Sequence, residues 1–238
     1  MICNANTTLE KVRQIPLVRP NHAKSFWQGI PHGMLIDAVE DECRTRNWTI
    51  EKSQFSLSVD GADLAGAFQL RVNDVTLPVG QALELGFLTS NMMRRKLKLV
   101  VGTRVFVCNN GMVSGDVVLC NKHTSGFDLF SALEGAMDTY HAKALELPGK
   151  IEALQQRELA PVEVEHLLVE SGRQGIMPWS RIGQVDEEYR HPTFGDHAVP
   201  TSWGLLNAFT HIVKKCPTLT QMDQINEFRA LLPVHGKN

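Results

Sequence analysis

Between Gln54 and Asn121 apolar and polar residues alternate with a period of two, in runs separated by turn-forming residues. A strand sends successive side chains to opposite faces, so this pattern commits the segment to a sheet with a buried face. Phe55, Leu57 and Val59 fall in phase, Asp60-Gly61 signals a turn, and Leu64 to Val72 reads as the returning strand. Leu83, Leu85 and Phe87 mark another strand from Ala82 to Thr89. Leu97, Leu99 and Val101 then alternate with Lys96, Lys98 and Val100. Glycine at the first position of Gly102-Thr103 suits a type II′ turn, so Lys96 to Val101 and Arg104 to Cys108 are expected to form a tight hairpin. Asn109-Asn110-Gly111 supplies the next turn and Val117 to Asn121 the last strand.

After Ser125 the period changes to that of a helix. Leu129, Phe130, Leu133, Met137 and Tyr140 define one from Phe127 to Leu145, with Asp128 near its start where a carboxylate favours the helix dipole. Further helices are expected from Lys150 to Leu159 and from Pro161 to Arg173, the latter with proline in its first turn. Gln174 to Pro200, rich in glycine, proline, histidine and charge, reads as a long loop. Trp203, Leu206, Phe209, Ile212 and Val213 form the stripe of a helix over Thr201 to Lys215, and a last helix follows Thr218 or Thr220 and ends near Pro233. Upstream, Met34 to Arg46 carries a short amphipathic pattern. The fold expected is α+β: a central antiparallel β-sheet packed against helices, with a helical C-terminal segment. An N-terminal arm (1–31), interrupted by Pro16, Pro20 and Pro31, precedes a single domain (32–238) that is β-rich over 53–121 and helical over 126–232.

The formal net charge is -2 over 238 residues, so any affinity for a polyanion must come from a local patch. One such patch exists. Arg94, Arg95, Lys96, Lys98 and Arg104 lie close together with no acidic residue among them. In the expected hairpin, cations on one face stand roughly 7 Å apart, twice the strand rise, a spacing suited to successive phosphates of an extended strand. Lys122 and His123 are weaker additions and Arg71 a further neighbour.

Other chemistry has thinner support. Cys3, Cys43, Cys108, Cys120 and Cys216 form no CxxC pair, so neither a disulfide framework nor a zinc ribbon is signalled, and no metal or cofactor is expected. Cys108, Cys120 and His123 match no short metal motif. His191, Asp196 and His197 could build a hydrolytic metal site but show no ligand spacing of that kind, and Ser125 and Ser180 lack a nucleophile-elbow context. No enzymatic activity is expected. Met1 to Thr8 lacks the layout of a signal peptide and no apolar run reaches the ~20 residues that span a bilayer. The expected compartment is the cytoplasm, with no membrane partner.

The run Ser90-Asn91, Leu97, Leu99, Gly102, Arg104 to Met112 with its Cys108-Asn109-Asn110-Gly111 core, and Lys122-His123-Thr124 resembles the central signature of domain-of-unknown-function family 932, phage- and plasmid-borne proteins. Trp203 to Thr210 resembles that family's downstream tryptophan and Asn-Ala-x-Thr segment. The resemblance implies a non-enzymatic protein of a mobile element acting near DNA, akin to phage single-strand-binding or strand-annealing proteins, in the host cell's cytoplasm if phage-encoded. The resulting expectation is sequence-independent binding of single-stranded DNA in replication, recombination or transcription, by a homo-oligomer that coats the strand and works with phage or host replication or transcription proteins. The alternative is a phage factor that binds and modulates a host protein through the 174–200 segment.

Overall fold

Six strands hydrogen-bond in sequence order, each antiparallel to the next, in a computed structural model that describes residues 3–78, 80–105, 114–195, 199–214 and 218–232. The chain runs through β1 (Cys3–Thr7), α1 (Leu9–Gln14), α2 (His32–Thr45), β2 (Thr49–Ser58), β3 (Asp63–Arg71), β4 (Gln81–Ser90), β5 (Leu97–Val105) and β6 (Ser114–Asn121). Helices follow: α3 (Leu129–Gln156), α4 (Pro161–Arg173), α5 (Trp179–Arg190), α6 (Ser202–Val213) and α7 (Thr218–Leu231). This is an α+β fold with a helical C-terminal part.

The period-two pattern explains which face is covered. Phe55, Phe68 and Phe87 from β2, β3 and β4 meet at 5.7–6.2 Å between ring centroids and pack into the main core with α2 and α3. Gly66 makes room for them, since a Cβ there would lie 2.3 Å from the Phe87 ring. The opposite face carries small residues, and Ala65, Ala67, Leu88 and Val100 form a separate buried cluster. α7 lies beside this sheet: its Asp223 bonds Lys98 of β5, its Asn226 accepts from the Gly115 N–H of β6 at 2.9 Å, and its Phe228 stacks on Phe209 of α6 at 3.8 Å.

Four elements differ from the sequence expectation. Gly102-Thr103 does not turn. β5 continues to Val105, and Gly102 pairs with Glu84 of β4 and with Gly115 of β6. The glycines serve close approach instead, because a Cβ on Gly115 would sit 1.3 Å from the Val101 carbonyl oxygen. The expected strand end and turn at Phe106 to Gly111 lie outside the described residues. α3 is one helix of 28 residues running through Pro148, where two shorter helices were expected. Ala144, Leu147, Ile151 and Leu154 are all buried, so apolar packing on both sides outweighs the hydrogen bond that proline removes. Part of the expected 174–200 loop is α5, a helix with few other apolar residues whose Ile182, Val185 and Tyr189 pack on the core. The first 31 residues are not a separate arm: β1 pairs with β2, and Val12, Trp27 and Ile30 are buried. Among the described residues no helix is long and apolar enough to cross a membrane.

Candidate nucleic-acid interface

The β4–β5 connection reverses the chain around Ser90. The Ser90 hydroxyl donates to the Asp63 carboxylate and accepts from the N–H groups of Met92 at 3.2 Å and Arg94 at 3.3 Å. Met93 adopts φ 60° and completes the reversal. Arg94, Arg95 and Lys96 therefore project from a braced turn rather than from a strand.

The neighbouring Asn91, only 5% exposed, joins this turn to the N-terminal segment. Its Oδ1 accepts from the Ile30 N–H at 3.1 Å and its Nδ2 donates to the Ile30 carbonyl at 2.9 Å. The same segment is held on its other side by the chain leaving β6. Trp27 and Thr124 form an antiparallel bridge, the Gln28 N–H donates to the His123 carbonyl at 3.3 Å, and the Ser125 N–H donates to the Phe26 carbonyl at 2.7 Å. Three stretches far apart in sequence (24–28, 91–96 and 122–125) thus meet.

They enclose a cleft of about 390 Å³. Its cations are Lys24, Arg94, Arg95, Lys96 and Lys122; Phe26, Trp27 and Met93 supply its apolar wall; no carboxylate lines it. Phe26 is 50% exposed, with the Lys24 ammonium 5.9 Å from its ring centroid, and Arg19 lies 5.7 Å from the Trp27 ring. Two polar atoms of the lining residues, Trp27 Nε1 and His123 Nδ1, are buried without a hydrogen-bond partner.

Ion pairing divides the cations. Arg94 bonds Asp60 at 2.6 Å and Asp63 at 3.3 Å, and its guanidinium holds the Asp60 carboxyl well below the usual carboxylate range. Arg95 and Lys98 share Asp223 of α7 at 3.5 and 2.6 Å. Lys24, Lys96 and Lys122 have no ion pair among the described residues. The cleft therefore keeps an uncompensated positive charge although the sheet surface beside it does not.

Of the residues read from the sequence as phosphate contacts, Arg94, Arg95, Lys96, Lys122 and His123 line this cleft, and Lys98 lies next to it. His123 is not a cation here. It is 7% exposed, its Nε2 lies 3.0 Å from Thr89 Oγ1, and burial, reinforced by repulsion from His32, lowers its pKa to about 4. Its part is to hold the 122–125 segment against β4. Arg104 pairs with Ala82, six positions along the unbroken β5 from Lys98 and so roughly 20 Å away; its side chain lies outside the described residues. Arg71 ends β3 opposite Thr49, toward the same distant end of the sheet, where it faces Glu51 at 3.7 Å. Lys24 and Phe26 went unrecognised in the sequence. Their one signal is a cation beside two aromatics in Lys24-Ser25-Phe26-Trp27.

The remaining candidates do not assemble. Cys120 is a free, exposed thiol, and Cys108 lies outside the described residues. His191 is exposed, and Asp196 and His197 lie outside the described residues, among which no three potential metal ligands cluster. No family model, no curated protein and no solved structure matches this chain.

Proposed function

We propose that this protein binds single-stranded DNA without regard to sequence, and that the cleft between residues 24–28, 91–96 and 122–125 is where it does so. One observation carries the reading: five cations converge on a concavity that has an exposed phenylalanine and no carboxylate. Cations neutralise phosphates and release counterions, while an aromatic face stacks any base, and the two together give sequence-tolerant affinity for unpaired strands. Phosphate contact falls to Lys24, Lys96 and Lys122, with Arg94 and Arg95 shared between the strand and their carboxylates. The residues Ser90-Asn91 and Lys122-His123-Thr124, which carry the resemblance to domain-of-unknown-function family 932, are among those that build this cleft. A role in replication, recombination or transcription of a phage or other mobile element fits that resemblance. A homo-oligomer laid along the strand multiplies a modest affinity per copy.

The test is anisotropy of a labelled oligonucleotide, single- and double-stranded, with the wild type and with Lys96→Glu/Lys122→Glu. Single-strand affinity falls more than about tenfold in the double variant, while its melting temperature stays that of the wild type. Equal binding by both proteins, or none by either, defeats the proposal.

A further inference from the structure

The cleft is small for the role just given. Concave ligand sites span about 300–1,000 Å³, and at about 390 Å³ this one has room for one nucleotide rather than a run of strand. Walls from three separate segments bound it, which distinguishes it from a groove that tracks a backbone.

Its chemistry divides the way a nucleotide does. Phe26 offers a half-exposed ring face on one wall. Lys24, Lys96 and Lys122 offer ammonium groups with no ion pair among the described residues around the same space, that of Lys24 lying 5.9 Å from the Phe26 ring centroid. The Trp27 indole N–H and His123 Nδ1 belong to side chains 6% and 7% exposed and have no hydrogen-bond partner. Buried polar groups are nearly always paired, and these two unpaired ones belong to residues that line the cleft.

Resting on the strand-binding reading above, we infer that the cleft is a single-nucleotide site. It takes one unstacked nucleotide, with the base against Phe26 and the phosphate among Lys24, Lys96 and Lys122. The neighbouring nucleotides of a bound strand lie outside it. A free nucleoside monophosphate is then a competitor of the strand, and needs both its base and its phosphate to be one.

Deoxyadenosine 5′-monophosphate, deoxyadenosine and inorganic phosphate are titrated separately into the full chain. Two readouts apply: displacement of a labelled oligonucleotide, and the indole N–H resonance of Trp27, assigned by its loss in Trp27→Phe. The monophosphate displaces the oligonucleotide and shifts the Trp27 resonance. It does so at concentrations about tenfold below those of the nucleoside or of phosphate, and Phe26→Ala removes most of that advantage. If the oligonucleotide binds in a Lys96-dependent way yet millimolar monophosphate neither displaces it nor shifts Trp27, the single-nucleotide site is wrong and strand binding stands. Phosphate binding as tightly as the monophosphate makes the cleft a plain anion site and overturns the inference. Binding of neither oligonucleotide nor monophosphate overturns both readings.

Discussion

Replacing Asp223 with asparagine frees two cations, Arg95 in the cleft wall and Lys98 next to it. Its carboxylate lies 2.6 Å from Lys98 Nζ and 3.5 Å from the Arg95 guanidinium, and asparagine keeps its shape while removing its charge. Arg95, Lys98 and Asp223 are 26, 28 and 33% exposed. Partly solvated pairs of this kind hold little stability, about 0–1 kcal/mol each, so the variant folds as the wild type does. Strand binding responds more strongly. Each phosphate of a single strand that cations neutralise steepens the fall of log affinity with log salt by about 0.7. Lys24, Lys96 and Lys122 gathered on one phosphate give a slope of about −0.7, and the release of Lys98 and Arg95 onto two neighbouring phosphates takes it to about −2. A fourfold rise in salt then weakens the wild type roughly threefold and the variant roughly 18-fold, with the variant the tighter binder at low salt. Anisotropy of a labelled oligonucleotide across a salt series reads both slopes. An unchanged slope in Asp223→Asn refutes the reasoning, because Asp223 would then mask no group that the strand uses.

Three further outcomes follow from the packing. Gly115→Ala places a Cβ against the Val101 carbonyl and costs at least about 3 kcal/mol, measured as a lowered urea midpoint with an unchanged m-value. Asn91→Ala leaves the buried Ile30 N–H and carbonyl unpaired, costs about 3 kcal/mol, and weakens oligonucleotide binding because Lys24 and Phe26 lose their anchor to the β4–β5 turn. Stability falls in acid. Burial, and then His32, lowers the His123 pKa from the ordinary 6.5 to about 4, so the unfolded chain takes up a proton that the folded one refuses. The contribution is complete above pH 6.5 and lost as pH falls to about 4, roughly 3–4 kcal/mol in all, with buried His32 shifted in the same direction. Urea midpoints at about pH 7.5 and about pH 4.5 in the wild type and in His123→Gln check it, the variant showing the shallower dependence.

The parts of the fold that were legible are those where one local rule acts alone. The strands Leu64 to Val72 and Ala82 to Thr89 are found within a residue or two, because their large side chains recur at every second position while small ones fill the other buried face. Pro161 to Arg173 is a helix with proline in its first turn, as read. The misreadings arise where tertiary packing overrides a local signal. Gly102 and Pro148 both announce a break, yet each sits where neighbours on both sides need the element to continue. α5 escaped notice for the converse reason, since a helix with few apolar residues shows only a faint period.

The site illustrates a different limit. Arg94 to Lys98 were conspicuous as a run of charge, and a run suggests a ribbon of phosphate contacts. A strand, however, sends alternate cations to opposite faces and, in an antiparallel sheet, sets each beside whatever its neighbours supply. Lys98, the one of these residues inside a strand, ends on a carboxylate of α7 that lies 125 residues away. The cations without such a partner come from the ends of elements: Lys96 just before β5, Lys122 just after β6, and Lys24 in a segment that carries no regular structure at all. What gathers them is a set of uncharged contacts, the two Asn91 bonds to Ile30 and the Trp27–Thr124 bridge. Sequence spacing shows no trace of these, because each joins residues at least 61 positions apart. Polar groups that fix backbone to backbone, rather than the charges themselves, decide where the positive surface of this chain is free to act.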